Sequence, residues 1–184
     1  MEQIITDGHI DSQEKFEILW EYYYPHLLVY TGSFKGLSNI DPKDIVSDIL
    51  FKVFNNLHKY NRRYSLSTWV YNIAKNHLID AYRKSKRSTR TVSIDEIAEQ
   101  DIIDQRRDNN IVDKVIEKDS IEKCRLCIKS LNKKDQRMIF LKYYEGLNSK
   151  EIALIEGLSH NTVRKRLMTI RLHIKKLLGD DYEN

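Results

Sequence analysis

An amide and three cations crowd into one short stretch, Ser159 to Arg166: Asn161, Arg164, Lys165 and Arg166, with His160 and Thr162 among them. Arginine and lysine neutralise phosphates or meet guanine edges, and asparagine pairs bidentately with adenine. Ser159 is a good N-cap, and the free amides of a helix starting there favour a phosphate oxygen. At 100° per residue, Asn161, Lys165 and Met168 fall opposite an apolar stripe of Val163, Leu167, Ile170, Ile174 and Leu177. Just upstream, Ile152 and Ile155 mark a short helix. Ala153 is small where two helices must cross closely, and Gly157 suits a left-handed turn between them. That is the layout of a helix-turn-helix whose second helix enters the major groove. A structural hairpin with a basic outer face shares the periodicity, but the alanine, glycine, cap and basic face together favour DNA binding.

A second constellation mixes aromatics with bases. Tyr60, Tyr64, Trp69, Tyr71 and Tyr82 alternate with Arg62, Arg63, Lys75, Asn76, Arg83 and Lys84. Rings offer faces on which unpaired bases stack, and cations hold the strand by its phosphates, so this segment suits a single strand better than a closed duplex. Part of it must instead be core, with Leu66, Trp69 and Ile73 the first candidates. On the helix expected over 41–57, Asp44, Ser47, Asp48, Phe51 and Asn55 lie opposite a broad apolar face. A phenylalanine beside two carboxylates reads either as a protein-docking anchor or as a side chain packed on another part of the chain. Cys124 and Cys127 form a lone CxxC without a second pair or a histidine cluster. They read as core thiols, with Cys124 on the apolar stripe of its helix. No HExxH, P-loop, GxGxxG or paired-metal carboxylate cluster is present, so neither a catalytic residue nor a metal or other cofactor is expected.

The elements that must position these groups are helical. Phe16, Leu19, Trp20, Tyr23 and Tyr24 recur at helical spacing, and Leu27, Leu28 and Tyr30 continue the run past Pro25. Asp41-Pro42 reads as a cap followed by proline at the first helical position, opening a helix to about Leu57. Another helix starts at Ser65 or Ser67 and reaches about Lys84. After Ser85 the periodicity fades, to resume with Ile121, Cys124, Ile128 and Leu131. Helices near 133–144, 149–156 and 160–178 follow. The expected fold is all-α: two small helical domains, 12–87 and 120–178, joined by a flexible linker, 88–119. Charge follows the same division. Residues 58–90 hold nine bases against Asp80 alone, residues 91–113 seven acids against Arg106 and Arg107, and residues 159–178 six bases and no acid. Two basic faces point to a long polyanion. No run approaches a membrane span, the start MEQIITDGHID lacks the marks of a secretory signal, and two cysteines cannot staple a secreted scaffold. The expectation is a cytoplasmic protein without membrane insertion.

Taken together, these residues resemble the extracytoplasmic-function (ECF) group of bacterial RNA polymerase sigma factors. Asp44-Ile45-Val46 with Asp48 and Lys52 is similar to the family helix that docks on the polymerase clamp. Ser67-Thr68-Trp69-Val70-Tyr71, Ile73-Ala74-Lys75-Asn76, Ile79-Asp80 and Tyr82-Arg83-Lys84 are similar to the segment that opens the −10 promoter element. Leu131 through Gly146, then Lys150-Glu151-Ile152-Ala153, Gly157, Ser159, Thr162-Val163 and Arg166-Leu167, resemble the domain that reads the −35 element. Ser47 stands where the family often carries glutamine, and Asn132 where a proline is common. The resemblance implies a non-catalytic transcription initiation factor whose partners are core RNA polymerase, promoter DNA and an anti-sigma factor. It implies polymerase contacts at Asp44, Ser47, Asp48 and Phe51, and −10 contacts at Arg62, Arg63, Trp69, Lys75, Asn76, Tyr82 and Arg83. The −35 set is Lys150, Ser159, His160, Asn161, Thr162, Arg164, Lys165 and Arg166. In the family the linker runs toward the RNA exit path, where the acidic block 91–113 would mimic RNA charge.

Overall fold

The computed structural model describes residue 5, residues 9–34, residue 37 and residues 40–88 and 117–178; the acidic block and most of the linker lie outside them. All regular structure among the described residues is helical. Helix α1 spans Ser12–Thr31, α2 Pro42–Asn55 and α3 Leu66–Ser88, with a 3₁₀ turn at Leu57–Lys59 between the last two. Helix α4 spans Glu117–Ser130, α5 Lys133–Ile139, α6 Ser149–Glu156 and α7 His160–Leu178. A π-helical turn, Phe140–Tyr144, closes α5.

Short polar side chains set the helix starts. Asp11 accepts from the Glu14 amide, Asp41 from that of Lys43, and Asn132 from that of Asp135. Ser65 accepts from the Thr68 amide at 3.3 Å, which makes it the cap of α3. Asn148 and Glu151 form a reciprocal capping box on α6. Gly157 ends α6 at φ 67°, the left-handed region glycine enters without a Cβ clash. Helix α6 has only eight residues, too few to persist on propensity alone, so packing holds it in place.

In the N-terminal unit, Leu19, Tyr23, Leu27 and Tyr30 of α1 meet Ile45, Val46, Ile49, Leu50 and Val53 of α2, and Leu66, Val70, Tyr71, Ala74 and Leu78 of α3. In the C-terminal unit, Met138, Leu141, Ile152, Ile155, Val163, Leu167 and Ile170 form the core. Each such side chain contributes about 1.5–3 kcal/mol by leaving water.

Several local expectations need correcting. The 133–144 helix changes to π geometry after Ile139, and α3 runs past Lys84 to Ser88. Leu177 is half exposed, so the core stripe of α7 ends near Ile174. The buried thiol is Cys127; Cys124 is only partly covered. The two helical units expected from the sequence also touch: α3 packs directly against α6, and one hydrophobic cluster runs through both.

Candidate nucleic-acid interface

On α7 the predicted polarity holds. Val163, Leu167 and Ile170 are buried, while Asn161, Thr162, Arg164 and Lys165 are exposed on the other side. The Ser159 hydroxyl accepts from the Thr162 amide at 3.0 Å and shares a 2.7 Å hydrogen bond with the Thr162 hydroxyl, which fixes the entry to the helix. Asn161, Arg164 and Lys165 line an open groove with Lys142, Tyr143, Ser149, Met168 and Arg171. Lys142, Tyr143, Ser149 and Arg171 were not singled out from the sequence. Arg171 shares a helix face with Arg164 and Met168, a signal that was available. Lys142 and Tyr143 arrive through the π turn, which has no periodic signature. Lys150 is exposed near the start of α6, and His160 is half-buried at the start of α7. Arg166 turns inward: its Nε meets Asp135 Oδ1, and one Nη lies 3.5 Å from Asn132 Oδ1.

The aromatic-basic segment divides. Leu66, Thr68, Val70 and Tyr71 are buried, Trp69 is half-buried, and Arg62, Arg63, Asn76, Tyr82 and Arg83 are exposed. Tyr60 leans on Trp69 with ring centroids 5.5 Å apart and donates its hydroxyl to the Tyr64 carbonyl at 2.9 Å. The Arg63 guanidinium sits 5.7 Å from the Tyr64 ring centre. Arg62 holds φ 55°, unusual for a side-chain-bearing residue, so the loop before α3 is bent sharply at that cation. Further along α3, Lys86 lies over the Tyr82 ring and Arg83 approaches Asp80 at 3.9 Å. An exposed rail of cations and rings thus runs from the loop to the far end of the helix. Lys75 departs from it, with its ammonium turned to the C-terminal unit.

On α2, Asp44 and Asp48 are exposed, and Ser47 donates to its own helix at the Lys43 carbonyl, 2.8 Å away. Phe51 is packed on the chain and still half exposed. It stacks on Phe16 at 5.3 Å and meets Trp20 edge-on, yet stays 52% exposed. Phe16 and Trp20 therefore extend the face into an aromatic shelf bordered by carboxylates. His77 Nε2 stands 4.0 Å from Asp48 Oδ2. Burial first, then the charge of Lys52, lowers the His77 pKa, against the upward pull of Asp48 and Asp80. Among the described residues, no group of three or more His, Cys, Asp or Glu could hold a metal ion.

Comparison with known proteins adds the decisive observation. The Sigma-70 region 2 family model matches residues 19–88 and the Sigma-70 region 4 model residues 121–174, in that order and over more than half of the chain. The chain belongs to the ECF sigma factor family. It is 27% identical to RNA polymerase sigma factor YlaC of Bacillus subtilis, over 89% of this chain and 92% of that protein. ECF RNA polymerase sigma factor SigW of the same organism is 26% identical, over 83% of each. Two solved structures share the fold. They are sigma factor RpoE in complex with anti-sigma factor NepR from Bartonella quintana, and CnrH in complex with the cytosolic domain of CnrY. The first has TM-score 0.58 at 20% identity, covering 90% of this chain and 98% of that one. The second has TM-score 0.54 at 20% identity, covering 97% and 94%.

In this sigma factor the region 2 and region 4 units are joined by partly buried polar contacts. Ser65 Oγ and Thr68 Oγ1 both donate to Glu151 Oε1, at 2.7 and 3.0 Å. Tyr71 donates its hydroxyl to Glu145 Oε1 at 2.7 Å, and His26 Nδ1 lies 2.9 Å from the same oxygen without the alignment of a hydrogen bond. Lys75 Nζ donates to the Ile155 carbonyl at 2.7 Å, and Arg137 donates to the Ser33 carbonyl at 3.2 Å. Arg137 also pairs with the buried Glu156 at 3.4 Å and covers the Phe34 ring. Burial is the leading cause that lowers the Lys75 pKa; Glu156 pulls it back up. Burial pushes the Glu151 carboxyl up, but hydrogen bonds from Ser65, the Asn148 amide and Thr68 outweigh it, and the net direction is down.

Proposed function

We propose that this chain is the specificity subunit of a bacterial RNA polymerase, supplying promoter recognition while the core enzyme supplies the chemistry. The observation that carries the reading is the order of faces along one chain of the family. A carboxylate-bordered aromatic shelf on α2 comes first, then a basic aromatic rail on α3, then an exposed Asn/Arg/Lys face on a helix-turn-helix. In this reading the 12–87 unit docks on the core through Asp44, Ser47, Asp48 and Phe51, with Phe16 and Trp20 added. The rail of Arg62, Arg63, Trp69, Asn76, Tyr82 and Arg83 holds the separated −10 strand, joined by Lys75 once that ammonium is released. The 120–178 unit reads the −35 duplex with Asn161, Thr162, Arg164 and Lys165, assisted by Lys150, Ser159 and His160. Arg166 positions α7 through Asp135. Unstacking −10 bases costs a few kcal/mol per step, offset by seating a flipped base against the protein. The complex of sigma factor RpoE with anti-sigma factor NepR supports an anti-sigma factor as a further partner. A role beside the polymerase places the chain in the cytoplasm, and no described helix is long and apolar enough to cross a membrane.

Gel filtration with bacterial core RNA polymerase tests the docking. Wild-type protein is expected to co-elute at micromolar concentration, and Asp48→Arg, which reverses one border of the shelf, is expected not to. Absence of wild-type co-elution would overturn the proposal in favour of an independent DNA-binding regulator.

A further inference from the structure

The outer face of α7 carries one side chain that neither the core nor the surrounding charge accounts for. Met168 is 64% exposed, while its neighbour Leu167 is buried in the C-terminal unit. Met168 follows Asn161 by seven residues, which sets it about 20° round the helix from Asn161 and about two turns further on. Arg164 and Lys165 flank that line on either side. The groove these residues line also holds Lys142 and Arg171, and no carboxylate stands among its lining residues. Tyr143 joins it from the π turn, with its ring exposed. Four cations without an acid call for an anionic occupant. A lone exposed methionine is ordinary on a protein surface. This one lies inside an acid-free cationic groove, where a polar side chain would meet water at less cost. The occupant must therefore offer phosphates and, two helical turns beyond the base at Asn161, an apolar group. In the major groove of duplex DNA that group is the thymine C5-methyl.

We propose that Met168 is a specificity residue of the −35 contact: it reads one thymine by its C5-methyl group, while Asn161 pairs with a base edge and the cations around them hold phosphates. This readout deepens the sigma-factor reading above and rests on it. Methionine suits the task. Its unbranched chain has three rotatable bonds and a polarisable sulfur, so it follows an apolar group across an irregular surface. Its thioether is at most a weak acceptor, so it reads shape and apolarity rather than hydrogen-bond pattern. Cytosine carries a hydrogen where thymine carries the methyl, so one buried carbon separates the two pyrimidines at this contact. Withdrawing one such carbon from water is worth about fourfold in affinity. On helices that read the major groove, residues about three apart meet successive bases. The thymine, on either strand, is therefore expected two or three base pairs from the base that Asn161 reads.

The test uses holoenzyme assembled from the full chain and bacterial core RNA polymerase. A promoter is selected from a DNA pool randomised over both promoter elements. Each thymine of the selected −35 element is then replaced singly by deoxyuridine, which removes the methyl and leaves base pairing intact. Wild-type holoenzyme is expected to lose about fourfold in affinity at one thymine. Met168→Ala is expected to bind the unmodified promoter about fourfold more weakly, with no further loss from the same deoxyuridine. Met168→Leu, which keeps an apolar side chain of similar volume, is expected to restore most of the methyl dependence. The thermal midpoint of the Met168→Ala chain is expected to match wild type, because the side chain is largely exposed. A methyl effect that persists undiminished in Met168→Ala overturns the proposal, and so does a selected element in which no thymine responds to deoxyuridine. Both of those results leave the sigma-factor reading standing. If wild-type holoenzyme recovers no promoter from the pool, that reading falls and the thymine readout falls with it.

Discussion

Lys165 and Arg166 are adjacent cations with opposite fates. Lys165 points away from the protein beside Asn161 and Arg164, while Arg166 folds back to Asp135 and Asn132. Charge type alone could not separate them; the carboxylate that captures Arg166 is contributed by α5, a separate turn of chain. In the proposed −35 contact the exposed Asn161 and Lys165 are assigned different work. Asparagine on a base edge discriminates one base pair, whereas a lysine on phosphate binds every sequence alike. With holoenzyme and a set of single-base promoter variants, Asn161→Ala is expected to cost about 1–3 kcal/mol at one −35 position and to relax preference there. Lys165→Ala is expected to weaken all promoters together and to reduce the slope of log affinity against log salt by about one. A uniform loss from Asn161→Ala would remove its readout role. Arg166→Ala should instead lower the thermal midpoint, since it strips Asp135 of its partner.

Helices were the most legible scale, because their boundaries rest on local chemistry. Asp41-Pro42, Gly157 and Ser159 each carry their own mechanism, and each stands where that mechanism requires. The π turn at Phe140–Tyr144 was not legible, since one extra residue per turn leaves no mark in a short aromatic run. Nor was the division of the tyrosines. Tyr71 is buried and Tyr64 exposed, though both sit among the same residue types. What decides between them is which neighbour covers them, α1 and the π turn in the case of Tyr71. Gly157 offers a test confined to one element. A Cβ there would find only Lys75 Nζ, at an ordinary 3.6 Å, so any cost of Gly157→Ala comes from the left-handed backbone at φ 67°. That cost is about 1–2 kcal/mol, which for a chain of this size lowers the melting midpoint by roughly 2–8 °C. An unchanged midpoint would mean that the turn relaxes out of the left-handed region without loss.

At the scale of the whole molecule, the contact between the two units had no signature in the sequence. Ser65 caps α3 and Glu151 completes the capping box of α6. Their second bonds, to each other, depend on where two distant helices meet. That shared use makes the contact between the units sensitive to pH. The Glu151 carboxyl is held below its ordinary 4.5 by Ser65, Thr68 and the Asn148 amide, against the cost of burial. A group whose pKa is depressed by the contact contributes stability to it that is complete above about 4.5 and is lost as pH falls through the depressed value. Other charged groups facing the same cleft are Arg62, Arg63 and Lys150, which keep their charge in that acid range; Glu145 and His26 meet Tyr71 elsewhere in the contact, so the Glu151 variant below is what assigns the step. Lys75 works in a separate, alkaline window: its lowered pKa strengthens the contact as pH rises toward 10.5. Scattering at stepwise lower pH is therefore expected to show the wild-type chain expanding on the acid side of 4.5 while its helix content persists. Glu151→Gln keeps a single oxygen acceptor, for Ser65 and Thr68 or for the cap but not both, and cannot titrate; its dimensions are expected to stay constant over that interval. Matching expansion in the two proteins would show that some other carboxylate controls the opening, and that Glu151 serves only to cap α6.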